Sequence, residues 1–73
     1  MEKKKESYVI YFSSKVEKDN TGYFQRMQRV GFLSTRWKKQ AKVFKSRKAV
    51  ENKIKSLIEK EGEWYDFEII ESI

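Results

Sequence analysis

Residues 23–34 read YFQRMQRVGFLS, and the conformation of this stretch decides the architecture. As a helix it places Tyr23, Phe24, Met27 and Val30 on one apolar stripe. Asn20 or Thr21 would then cap its start and Gly31 would stop it. As strands it folds back on the preceding run as a hairpin, with Phe24 and Phe32 supplying β-forming bulk. The upstream residues favour strands. SYVIYFSSKV (7–16) alternates with period two, with Tyr8, Ile10 and Phe12 on one face and Val9 and Tyr11 on the other. EKDNTG (17–22) is a hydrophilic turn signal ending in Gly22. Together they look like half a hairpin, so 23–30 is expected to be strand, with the helix kept as the alternative.

Downstream, STRWKKQ (34–40) reads as a connection or a single helical turn that Thr35 can cap, and AKVFK (41–45) as a short extended piece. Ser46 is a good N-cap for a helix running to about Glu61, with Gly62 as a natural residue just past its end. Ala49, Val50, Ile54, Leu57 and Ile58 recur at helical spacing, and Glu51 and Lys55 form a well-oriented i,i+4 pair. In EWYDFEIIESI (63–73), Tyr65, Phe67 and Ile69 alternate with Asp66, Glu68 and Ile70, which predicts a strand with one apolar and one largely acidic face. The expected fold class is α+β: a small antiparallel β-sheet packed on one α-helix, in the order β-β-(β)-α-β. Residues 1–6 are read as a disordered charged tail, and 7–73 as a single small domain.

Seventy-three residues leave no room for a second domain. So short a chain buries only about 60% of its unfolded surface, so packing must be efficient. The absence of cysteine excludes disulfides and thiolate ligands, and there is no histidine. Eleven aromatic residues and 38% apolar content argue for a compact core rather than a disordered chain. The apolar run from Tyr8 to Phe12 is too short for a signal sequence or a membrane span, so a cytoplasmic protein is expected. No cofactor or metal is expected, and no membrane partner.

Net charge is +6, but its distribution says more. Residues 36–55 carry nine basic side chains and one acidic, while residues 56–73 carry one basic and six acidic. Such polarity can steer an anionic partner or let two copies attract each other.

The segments GFLST…W and AKVFKS, Ala49 and the closing DFEIIE together resemble small proteins of phages and prophages of Gram-positive bacteria, the SPbeta-prophage type of Bacillus. The resemblance spans roughly residues 8–71 and rests on packing and capping positions. It implies a phage or prophage origin and an uncharacterised function, and it brings no site residues. KVFKSRKAVENKI is similar to the strand-to-helix junction of the three-stranded DNA-binding domains of phage integrases, through Phe44, Ser46 and Ala49. Those domains place their sheet in the major groove. The acidic strand that follows the helix here departs from that pattern and puts sheet-mediated DNA reading in doubt.

The richest candidate site is basic. Arg36, Lys38, Lys39, Lys42, Lys45, Arg47 and Lys48 form an acid-free cluster of cations, the raw material for phosphate contact. Trp37 lies among them and could stack on a base if exposed. The competing explanation puts Trp37 and Phe44 in the core and leaves the lysines as a solvated rim. The helix mixes Lys48, Glu51, Asn52, Lys55 and Glu59 on its outer side, unlike a clean recognition helix. Asp66 and Glu68 could share a metal or an acid–base task, but an acidic stripe on an edge strand explains them as well. Without histidine, Ser13 and Ser14 cannot belong to a Ser-His triad, and Gly22, Gly31 and Gly62 form no phosphate-cradling loop. An enzyme is not expected. The sequence favours a protein-interaction module, with a homodimer and a monomer equally open. The alternative is a nucleic-acid-binding accessory protein using residues 36–48.

Overall fold

A computed structural model describes residues 7–71, so the tail expected over residues 1–6 lies outside the described residues. The chain forms β1 (Tyr8–Ser14), β2 (Thr21–Met27), β3 (Phe32–Thr35), a short 3-10 turn (Lys38–Gln40), α1 (Arg47–Glu61) and β4 (Tyr65–Glu71). The four strands make one antiparallel sheet in the order β3-β2-β1-β4, with the helix packed on one face. The α+β expectation therefore holds, and the opening stretch is β2, a hairpin loop and β3.

The helical spacing of Phe24 and Met27 has a different cause. The β2–β3 register shifts between Phe24 and Arg26, so Phe24 pairs with Ser34 while Met27 pairs with Phe32. One extra residue in β2 breaks the alternation and turns Phe24 and Met27 to the same side. Both pack in or against the core beneath the helix. An i,i+3 apolar spacing thus arises from a β-bulge rather than a helix. The loop closes with Gln28 N–H donating to the Gly31 carbonyl, and Gly31 takes φ +78°, a left-handed conformation that suits glycine.

β1 pairs with β4 along its whole length, Tyr8 with Glu71 through Ser14 with Tyr65. With β2 it pairs only at Tyr11, Phe12 and Ser13. The segment leading into the helix fills the gap between their diverging ends. Tyr8 and Phe44 exchange two backbone hydrogen bonds of 2.9 and 2.8 Å, and Lys42 N–H donates to the Phe24 carbonyl at 3.0 Å. The extended piece expected at 41–45 is therefore a wedge that completes the sheet.

The core gathers Tyr8, Ile10, Phe24, Phe44, Val50 and Leu57. Phe12, Phe32 and Tyr65 meet edge to face, with centroids 5.2–5.5 Å apart. Phe32 also meets Phe67 edge to face. Ser46 caps α1, its hydroxyl accepting from Ala49 N–H at 3.1 Å.

Three details differ from expectation. The buried stripe of α1 is narrower: Val50 and Leu57 are fully buried, whereas Ala49 is exposed and Ile58 is 53% exposed. Ala49 and Ile58 sit to either side of the line through Val50, Ile54 and Leu57, by roughly 105° and roughly 75° of helical rotation. Glu51 pairs with Arg47 rather than with Lys55. Gly62 stays right-handed, with φ −64°, so left-handed backbone is not what glycine supplies there. A Cβ at Gly62 would run into the Ile58 carbonyl, and close approach is the reason for glycine at this position.

Candidate anion-binding surface

Arg36, Trp37, Lys38, Lys39, Lys42, Lys45, Arg47 and Lys48 are all exposed. The structure places all of them but Lys42 in two groups, set by the elements that hold them, and Lys42 lies between these on the segment bonded to the Phe24 carbonyl.

The first group lies on the return from β3. Thr35 ends that strand, and its hydroxyl accepts from Trp37 N–H at 3.2 Å. The same hydroxyl donates to Gln40 Oε1 at 3.1 Å, while the Gln25 side chain donates to the Gln40 carbonyl at 3.2 Å. These bonds tie the 3-10 turn to β2 and β3. Arg36, Lys38 and Lys39 flank Trp37 in the chain and are exposed, and Trp37 itself is 55% exposed. Thr35 acts on the turn as expected, although the residue preceding the 3-10 turn is Trp37 and makes no side-chain cap.

The second group surrounds the start of α1. Lys45, Arg47 and Lys48 flank Ser46, and no acidic residue lies in the first helical turn. Cations there oppose the helix dipole, whose positive end favours acids. Among the described residues, Arg47 is the one cation of the run whose side chain pairs with an acid. Its Nε lies 3.0 Å from Glu51 Oε2, and its guanidinium sits 5.9 Å from the centroid of the Tyr8 ring. The hydrogen bond and charge of Glu51 raise its pKa further above the ordinary arginine value. Arg47 stays charged at any physiological pH.

Phe44 separates from Trp37 completely: it is 7% exposed and stacks on Phe24 with centroids 6.3 Å apart. The core position that the competing explanation gave both aromatics therefore holds for Phe44 and not for Trp37. No protein-family model, no curated protein and no solved structure matches this chain.

Two cations escaped the sequence reading. Arg26 of β2 and Lys53 of α1 join Lys42 around a cleft of about 180 Å³, whose other lining residues are Phe24, Gln25, Met27 and Phe44. Arg26 and Lys53 lie on separate elements far apart in the chain, so no linear charge run could mark them. The sequence signal was indirect: Arg26 sits inside the bulged stretch that carries two core residues.

The carboxylates Asp66 and Glu68 are exposed on β4, which is an edge strand, and Asp66 pairs with Lys15 at 3.7 Å. Among the described residues no group of three or more His, Cys, Asp or Glu side chains is placed to hold a metal ion. No helix among them is long and apolar enough to cross a membrane.

Proposed function

We propose that this protein acts by binding rather than catalysis, and that it binds nucleic acid through the cationic segment Arg36–Lys48. The observation that carries this is the exposure of Trp37 among Arg36, Lys38 and Lys39, none of which pairs with an acid among the described residues. An indole more than half exposed leaves apolar surface in water, which stacking on a base would cover. Lys45 and Lys48 at the start of α1 support the same reading, because they stand where charge opposes the helix dipole. A cytoplasmic site of action belongs to this proposal. The phage or prophage origin rests on the resemblance alone.

The test is salt-dependent binding. Affinity for DNA or RNA should fall steeply with salt, and Lys38/Lys39/Lys42→Ala should flatten the slope of log affinity against log salt by about 2 to 3. No detectable binding at low salt sinks the proposal.

A protein-interaction role is the second reading. The sheet face opposite the helix leaves Tyr11, Tyr23, Leu33 and Ile70 only half-buried, with Tyr11 and Tyr23 packed edge to face at 5.4 Å. A second copy covering this face would make the homodimer. Sedimentation showing one monomeric species at every concentration removes the homodimer.

A further inference from the structure

The sheet face turned away from α1 is uneven in both shape and charge. The register puts Thr35, Tyr23, Tyr11 and Glu68 in one row across β3, β2, β1 and β4. Strand alternation turns this row away from the core residues Ile10, Phe12 and Phe24, and Asp66 points the same way as Glu68. The chain itself runs over the β2 side. From Thr35 it crosses β2 to Lys42, whose N–H binds the Phe24 carbonyl, and the Thr35 hydroxyl holds Gln40 on the way. The crossing therefore lies on this face, and it carries the exposed Arg36, Lys38 and Lys39. The β1–β4 side keeps Tyr11 and Ile70 half-buried and Asp66 and Glu68 exposed. Glu68 has no ion pair among the described residues, and Asp66 meets Lys15 at 3.7 Å. The face is thus a basic ridge beside a low shelf of apolar and acidic side chains.

A partner of one sign does not fit such a face. A polyanion laid across it meets Asp66 and Glu68, and a polycation meets the crossing. A surface with the two signs in the opposite order fits, and a second copy supplies one. A two-fold axis parallel to the strands, passing between β1 and β2, exchanges the two sides of the sheet. It sets the shelf of each copy under the ridge of the other and brings Tyr11 of each copy over Tyr23 of the other. A two-fold axis across the strands instead sets β4 on β4 and crossing on crossing, where like charges oppose association.

We propose that two copies of this chain associate through this face about the axis parallel to the strands, with Asp66 and Glu68 of each copy against Arg36, Lys38 and Lys39 of the other. This deepens the homodimer reading above and rests on it. The tyrosines and Ile70 supply the apolar centre of the interface, and the charges at its two sides fix its direction. The crossing also carries the nucleic-acid reading, so an oligonucleotide and a second copy compete for it.

The experiment is charge-swap complementation read by sedimentation equilibrium of the full chain. D66K/E68K makes the shelf basic, and K38E/K39E makes the ridge acidic. The controls E59K/E63K and K55E/K60E make the same changes of net charge on α1 and in the loop that follows it. Melting curves check that each variant is folded. Wild type should dimerise, and each swapped variant alone should raise the dimer dissociation constant at least about tenfold relative to its control. An equimolar mixture of D66K/E68K and K38E/K39E should recover wild-type affinity, because both contacts of the mixed dimer again join opposite charges. Dimers that neither swap weakens beyond its control, or a mixture that recovers nothing, overturn the assignment of the face and leave a homodimer through another surface. Wild type that stays monomeric at every concentration overturns both.

Discussion

Trp37 and Phe44 stand in one basic run, separated by six residues, and finish in opposite environments. Phe44 exchanges backbone hydrogen bonds with Tyr8, stacks on Phe24 and is almost fully buried. Trp37 sits on a turn pinned by Thr35 and Gln40, with more than half its surface in water. The difference shows that the run is two structures. One half closes the split between β1 and β2 and starts the helix. The other half is held rigid by polar side chains, and its one aromatic ring packs on no other ring.

Substitutions can break this contrast. Phe44→Ala should cost about 3–5 kcal/mol of stability, most of what a small domain has, read from the urea unfolding midpoint. A loss under about 1 kcal/mol would mean that the wedge does not hold the sheet. Leu57→Ala should follow at about 2–5 kcal/mol, because its side chain is fully enclosed. Trp37→Ala should leave stability within about 0.5 kcal/mol and instead weaken oligonucleotide binding by about 1–3 kcal/mol. If its melting temperature drops steeply with binding unchanged, Trp37 is scaffold and the contrast collapses. Ser46→Ala should cost about 1 kcal/mol through the lost bond to Ala49 N–H, with Ser46→Asp restoring it. The smallest effect belongs to Ile58→Gln, within about 0.5 kcal/mol, despite the helical spacing that groups Ile58 with Leu57.

Much of the fold was legible residue by residue. The alternation of Tyr8, Ile10 and Phe12 marked β1, Ser46 marked the start of α1, and Tyr65, Phe67 and Ile69 marked β4, because each signal is local. The β2–β3 region was legible only through its neighbours. Its bulge gives Phe24 and Met27 a spacing that both a helix and an irregular strand satisfy. The width of the helix's buried face was overstated for a related reason. Periodicity fixes the direction of the apolar stripe, but the breadth of the sheet beneath decides whether Ala49 and Ile58 are covered.

The candidate site was legible in charge and not in shape. Arg36 through Lys48 stand out in the chain, and all eight candidate residues lie on the surface. Sequence determined the basic run, the capped helix, the acidic closing strand and the alternating strand faces, because propensity, capping and charge act over a few residues. Tertiary structure alone decided that Phe44 is buried and Trp37 is not, since that depends on the gap left where β1 diverges from β2. It alone brought Arg26 and Lys53 to Lys42, since pairing between distant segments sets which side chains share a cleft.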